Sequence, residues 1–581
     1  MAHGEPPETK YYLPTDSRVI RLLIAPLICL RCGTTNLLHP MSDTEEPPIG
    51  PIALSLSGGG FRAAGFHLGL LTVLQRAKLL PQVRVLTTAS GGTLVGARWM
   101  LGMARDEPFA ETHYVLSEYL KEARPLRAAI RRAARERLTL TQALAEELEE
   151  TVFDDSRYSS PTLREIFESR ICVEEGSFNA TIARNGQPFR FTFSRGTSAR
   201  IGNQDIHLTR KVAQHLRLAD IAAASMAFPG ALEPMVLPSD FTWPDDELAD
   251  AADDAANHAF PHGTVGLVDG GVYDNQGISS MLLAAKRITG SAGEKPKDID
   301  LFLVSDAERR LEAPEARTPR KKNRWAPTLK VGHVSMLSSV AILGACASIF
   351  LLWKKIEAER AINDFHWPTD AIAFGVPIAI AVTLIVGVLY ARFLIASALR
   401  PIKRHLGRNA WSSLKRLRVS DAIEALQVRA RTLESVSAYA FPQRVRSLVY
   451  QSVWGNPSLR GKRVACHIYA LLHGQFKNVD GLYPAKAVVL DPVRRSVLLS
   501  TGLQLESPEE FEELEITGQA TAIANLVEHL EARHGRVRSE WPLEVLELDG
   551  LLREDWNTLN TTGKPLRPRE QPERAGKRPF K

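Results

Sequence analysis

The sequence predicts an α/β fold interrupted by a membrane hairpin, and three observations carry that expectation. Two segments run from an apolar or β-branched stretch through a glycine turn into an apolar helical pattern: "LSLSGGGFRAAGFHLGLL" at 54–71 and "VRVLTTASGGTLVGARWM" at 83–100. A third apolar strand, 265–268, ends in Asp269 and two glycines within "GTVGLVDGGVYDNQGI". Two charge-free stretches, 334–353 and 371–391, then match in length a hydrocarbon core of about 30 Å.

The first turn opens a helix, where unpaired backbone N–H groups and the helix dipole attract negative charge. Phosphate and oxyanion are the two chemistries that fit. Gly58, Gly60 and Ala63 satisfy a G-x-G-x-x-A dinucleotide fingerprint, which also needs an acidic residue roughly 20 positions on. The sequence has no Asp or Glu between Glu46 and Asp106, so the nucleotide reading lacks its ribose ligand. An oxyanion loop needs a nucleophile instead.

The second turn offers Ser90. A serine on a sharp strand-to-helix turn exposes its hydroxyl, and Gly91 and Gly92 supply the small neighbours that tight folding requires. Thr88 stands where G-x-S-x-G places its first glycine. The plainer role for Ser90 is a helix N-cap. In the third segment a carboxylate at a strand end is placed as a base, while Asp-Gly pairs also mark turns with no chemistry.

Together, "SGGGFRA", "TASGG" and "VDGGVYDN" in this order resemble the patatin-like lipid acyl hydrolases, and the first also resembles the cytosolic phospholipase A group. Smaller echoes begin at Phe178, Ala224 and Leu503. The resemblance spans about 52–306 and, more loosely, 444–532. It implies a three-layer sandwich around a central, largely parallel sheet. It also implies Ser90 as nucleophile, Asp269 as its base without histidine, and Gly58, Gly59 and Gly60 as the oxyanion loop. Arg62 would meet a lipid phosphate. No cofactor or metal is implied.

Composition agrees with a globular protein: of 581 residues 24% are charged and 44% hydrophobic, and a net charge of +6 is too small to argue for nucleic acid. The five cysteines, Cys29, Cys32, Cys172, Cys346 and Cys466, are scattered and odd in number, which points to free thiols in a reducing compartment.

The flanks of the apolar stretches orient them. Arg317, Arg320, Lys321, Lys322, Arg324 and Lys330 precede the first, and Arg392, Arg400, Lys403, Arg404 and Arg408 follow the second, with no acid in either flank. The connection mixes Lys354, Lys355 and Arg360 with Glu357, Glu359, Asp364 and Asp370. The positive-inside rule places both flanks, and with them the catalytic segments, in the cytoplasm. A pair of fully buried core helices is the alternative.

The expected organisation is therefore an N-terminal extension, poorly ordered, at 1–48, with Met41 an alternative start. The first part of the catalytic domain follows at 49–316, a basic linker at 317–333, membrane helices at 334–353 and 371–391 around a loop at 354–370, the rest of the domain at 392–562, and a basic disordered tail at 563–581. The segment "VIRLLIAPLICL" is too short to span, and no basic n-region precedes it. An acidic stretch from Pro238 to Phe260 reads as a solvated surface loop. Arginines at 124, 127, 131 and 135 recur at helical spacing, a face that near a membrane would meet anionic headgroups. The expected function is membrane-anchored hydrolysis of phospholipid or related esters. A non-catalytic lipid-binding protein of the same fold and an acyltransferase using the same serine are the rivals.

Overall fold

The computed structural model describes residues 47–153, 160–196, 199–260, 264–289, 298–308, 331–361, 372–373, 375–383, 385–390, 440–473 and 488–570, with 393, 432 and 482. Ten strands form one sheet: β1 (Ile52–Leu56), β2 (Val83–Ala89), β3 (Glu175–Ile182), β4 (Pro188–Ser194), β5 (Ile201–Gly202), β6 (His207–Leu208), β7 (Met235–Leu237), β8 (Val265–Asp269), β9 (Leu301–Asp306) and β10 (Arg463–His467). The order is β10-β9-β1-β2-β3-β4-β5-β6, with β8 pairing both β3 and β7. All four pairings from β10 to β3 are parallel, and the pairings beyond β3 are antiparallel. The five strands from β10 to β3 thus form a parallel centre, as the resemblance implies.

Strands buried on both faces read as near-continuous apolar runs, and β1 is buried along its whole length. Its residues alternate between two layers. Ile52, Leu54 and Leu56 join the larger core with α1 (Gly60–Arg76), α2 (Gly91–Ala104) and the helix Pro508–His534. Ala53 faces the smaller core with Ile278, Met281 and Val453 of the helices Ile278–Thr289 and Phe441–Trp454. Helices therefore cover both faces. The long helix Pro508–His534 approaches α1 backbone to backbone: a Cβ at Gly518 would stand 2.0 Å from the Phe66 carbonyl oxygen.

Three expectations are corrected. The tail does not begin at Gly563. Leu566 is buried, donates its amide to Gln519 Oε1 at 2.8 Å and accepts from Gln519 Nε2 at 2.9 Å, so the backbone is tied down through at least this point. The acidic stretch is not a loop throughout, because Asp245 caps a helix, Asp246–Ala259, by accepting from the Leu248 amide at 2.9 Å. Finally, the first apolar stretch belongs to a longer helix, Val331–Ala361, which absorbs the start of the expected 354–370 loop. Lys354 pairs with Glu357 at 2.9 Å on consecutive turns, a spacing that favours helix.

Within that helix Ser338–Ala358 is long and apolar enough to cross a membrane, and none of it is buried inside the protein. Gly375–Tyr390 is a shorter apolar helix. The basic flanks, residues 1–46 with Cys29 and Cys32, and residues 571–581 lie outside the described residues. Cys172, Cys346 and Cys466 are free thiols.

Candidate active site

The carboxyl ends of the parallel strands converge on one edge, where open α/β sheets bind ligands. Ser90 follows β2 directly, at φ 49 and ψ −122, outside the regions that a residue with a Cβ normally occupies. Its hydroxyl makes no cap bond, so the N-cap role fails. Its amide donates to Ser225 Oγ at 3.0 Å, and Ser225 Oγ donates to the Asn179 carbonyl at 2.7 Å. Asn179 Nδ2 in turn donates to the Thr88 carbonyl at 2.7 Å. Ser225 and Asn179 thus brace the elbow from two other elements. Both lie in the segments echoing the family from Phe178 and Ala224, but nothing local to either residue marks that duty.

Thr88 is accommodated from the helix side. A Cβ at Gly96 of α2 would come within 2.6 Å of Thr88 Cγ2, so the space that G-x-S-x-G leaves on the strand is left here on the helix. Thr88 Oγ1 and Thr93 Oγ1 are 2.8 Å apart.

Asp269 ends β8, and its carboxylate accepts a hydrogen bond from the Gly271 amide at 2.6 Å. Only 5% of either residue is exposed. Burial raises the Asp269 pKa to about 6, against the lowering influence of the Ser90 hydroxyl and the Gly271 amide. His67 and His113 have partners other than the serine. His67 is fully buried, with Nδ1 2.7 Å from Ser305 Oγ and Nε2 2.8 Å from the Ser57 carbonyl. Burial lowers its pKa to about 4, so it is neutral, with its proton on Nε2 because a carbonyl can only accept. His113 pairs with Glu515 at 2.5 Å.

The glycine loop crosses beside the elbow. Gly59 and Gly60 have φ 136 and 59, which glycine alone adopts freely, and their amides donate to no acceptor among the described residues. Gly58 differs from the expectation. Its amide donates to the Asn275 carbonyl at 2.8 Å, so that N–H is already satisfied. The role of Gly58 is one of space, since a Cβ there would lie 2.3 Å from Asn275 Oδ1 and 3.0 Å from Ser90 Cβ. Gly91 is equally confined, with a Cβ falling 2.1 Å from the Gly60 carbonyl oxygen, and at Gly92 one would fall 2.4 Å from that of Leu56. Elbow and loop touch backbone to backbone.

Arg62 is 2% exposed, and its Nη1 donates to the Leu499 carbonyl at 2.9 Å. The side group ties α1 to a segment more than 400 residues on, a contact that the expected role as a phosphate ligand does not include. A cavity of about 280 Å³ is lined by His113, Lys121 and Arg567, among others, and contains neither Ser90 nor Asp269. It is not the site of this chemistry.

Residues 54–282 match the family model of the patatin-like phospholipases. The protein has a patatin-like phospholipase domain. Among solved structures, human GIVD cytosolic phospholipase A2 in complex with methyl gamma-linolenyl fluorophosphonate and terbium chloride is similar at 17% identity. That match covers 46% of this protein and 42% of that one, with a TM-score of 0.28. A second structure of the human GIVD enzyme is similar at 15% identity over 47% and 51%, also with a TM-score of 0.28. The match therefore spans about half the length of the human enzyme. VipD from Legionella pneumophila is similar at 10% identity over 87% and 92%, with a TM-score of 0.23. No curated protein sequence matches this one. The likeness rests on the family match to residues 54–282.

Proposed function

We propose that the protein is a membrane-anchored serine hydrolase of phospholipid or related ester lipids, acting through Ser90 and Asp269. The observation that carries the reading is a buried carboxylate, influenced by the Ser90 hydroxyl, whose pKa is raised to about 6. An unperturbed carboxylate is a weak base, and the shift brings it close to neutral pH.

Asp269 takes the hydroxyl proton as Ser90 Oγ attacks the ester carbonyl, and the carbonyl electron pair moves onto oxygen. The amides of Gly59 and Gly60 face that oxyanion, and each such donor contributes roughly 3 kcal/mol. Collapse expels the alcohol, which leaves with the proton held by Asp269. Asp269 then deprotonates a water that attacks the acyl-enzyme, releasing the fatty acid and restoring the Ser90 hydroxyl.

The anchoring part of the proposal places 334–353 and 371–391 across a bilayer with both basic flanks in the cytoplasm, so that the enzyme acts on the leaflet it touches. Support comes from the exposed apolar surface of Ser338–Ala358 and from the distribution of charge around the two stretches. Ile130, Arg127 and Arg131 are exposed on the helix Pro125–Glu136, a surface suited to anionic headgroups.

The test is incubation of the purified full-length protein with a fluorophosphonate probe and, separately, with mixed lipids. Labelling at Ser90 with release of free fatty acid is the expected result. No labelling would leave a lipid-binding protein of the same fold, and acyl products other than free acid would make it an acyltransferase.

A further inference from the structure

A second polar cluster lies at the carboxyl ends of β9 and β10, and neither the dyad nor the loop accounts for it. Asp306 ends β9 and is fully buried. Arg446, on the helix Phe441–Trp454, reaches its Oδ2 with Nη2 at 2.8 Å and Nε at 3.1 Å. Tyr450 donates its hydroxyl to the same oxygen at 2.8 Å. Glu308, two residues on, donates its amide to Asp306 Oδ1 at 2.9 Å and has a carboxylate oxygen 3.8 Å from Arg446 Nε. Burial and the Asp306 charge raise the Glu308 pKa, and the Arg446 guanidinium opposes both. One guanidinium therefore serves two carboxylates in a buried setting, where unpaired charge is costly.

The cluster continues into the glycine loop. Glu308 Oε2 accepts from Gln276 Nε2 at 2.9 Å and from Asn275 Nδ2 at 3.2 Å. The Asn275 carbonyl accepts the Gly58 amide at 2.8 Å. Asn275 Oδ1 also stands 2.5 Å from where a Cβ on Gly271 would be, so the asparagine is wedged between the loop and the turn that follows Asp269. Beside it, Ser57 donates its amide to the Ser305 carbonyl at 3.0 Å, and its Oγ accepts the Ala307 amide at 3.0 Å. The turn 305–308 is thus fastened to the loop along its length.

We propose that Arg446 and Glu308 are positioning residues for the oxyanion loop. Arg446 holds both carboxylates in place, Glu308 accepts from Asn275 Nδ2 and fixes it, and the Asn275 carbonyl occupies the Gly58 amide, which leaves the Gly59 and Gly60 amides to face the substrate oxygen. The inference rests on the reading of Gly59 and Gly60 as oxyanion donors. It assigns a duty to Arg446, which lies beyond both apolar stretches and outside the 54–282 family match.

The experiment compares Arg446→Gln, Arg446→Lys and Glu308→Ala with wild type and Ser90→Ala in the full-length protein. It measures kcat and KM on a soluble short-chain ester, the rate of fluorophosphonate labelling, and thermal stability. Arg446→Gln is expected to lower kcat and the labelling rate together, by roughly 10- to 100-fold, because misplaced donors weaken stabilisation of a tetrahedral oxygen. KM should stay within about twofold, since ground-state binding does not use those donors. Arg446→Lys should recover part of kcat by restoring the charge. The double variant Arg446→Gln with Glu308→Ala should be little worse than either alone, as expected of links in one connected network.

A folded Arg446→Gln enzyme with wild-type kcat and labelling rate overturns the proposal. So does a parallel loss of kcat, KM and thermal stability that Lys does not relieve, which is the signature of a purely structural ion pair. Should Arg446→Gln fail to fold, Glu308→Ala supplies the same comparison. If wild type itself is not labelled, or Ser90→Ala keeps full turnover, the proposed function fails rather than the positioning role.

Discussion

Ser90 and Asp269 meet although β2 and β8 do not pair with one another. Both are set by β3, where Asn179 is in register with Ala89 on one side and Ala180 with Asp269 on the other. Ser90 follows Ala89, so the hydroxyl and the carboxylate arrive at the same height on the sheet. β3 acts as a ruler, and the common height of the two side chains follows from two registers.

The dyad should behave as one unit. Ser90→Ala and Asp269→Asn are each expected to lower kcat by at least about 1,000-fold, and the double variant should be scarcely worse than either. Membrane association should be unchanged in all three. Wild-type lipid turnover by Ser90→Ala would sink the proposed mechanism.

The raised pKa of Asp269 sets the pH profile. kcat/KM should rise through an apparent pKa of about 6 as the carboxylate ionises. Stability should move the opposite way. A folded pKa of about 6 above an ordinary 3.8 means that this group's contribution is full below pH 3.8 and is lost as pH rises through 6. Relative to wild type, Asp269→Asn should therefore gain stability between pH 4 and 7, by about 3 kcal/mol from a shift of about two units. Denaturant unfolding at both pH values checks it, and a flat difference would contradict it.

The elbow stores backbone strain, because Ser90 holds φ 49 and ψ −122 with a Cβ in place. Ser90→Gly should be more stable than Ser90→Ala by about 1–2 kcal/mol, since both lack the hydroxyl and only glycine relaxes the backbone. Equal stability of the two would place the strain elsewhere.

Arg62 separates two roles by substrate. Its bond to the Leu499 carbonyl and its burial favour a tie between α1 and the C-terminal segments. Arg62→Lys should thus lower thermal stability and reduce turnover of phospholipid and of a neutral short-chain ester by the same factor. A loss confined to phospholipid would restore the phosphate-contact role.

Membrane insertion has a clear chemical signature. The full-length protein should resist high salt and alkaline carbonate and leave membranes only with detergent, whereas a peripheral protein held by arginines would be released as salt screens it within about 8 Å. A cysteine replacing Asn363 should react with an impermeant maleimide from the far side, and one replacing Ser412 should not. Reversed labelling inverts the topology; release by salt would make the two stretches core helices.

The sequence by itself determined the local backbone of this domain. Glycines at 58–60 and 91–92, between strand and helix patterns, encode two strand-to-helix turns because close approach and positive φ exclude a Cβ, and such demands are written in adjacent residues. Apolar runs bounded by those turns likewise made an α/β fold legible, and a charge-free stretch marked the one helix among the described residues long enough to cross a membrane. Tertiary structure alone decided which turns face each other. Register across β3 brings Asp269 to Ser90, and β10 with the helix Pro508–His534 completes the sheet and core from segments far along the sequence. It also decided that the Gly58 amide is taken by Asn275, that Arg62 is buried against Leu499, and that Thr88 fits because Gly96 makes room. The physical reason is common to all of these: a hydrogen bond or a steric contact between distant residues depends on strand register and helix approach, which no single stretch of sequence specifies.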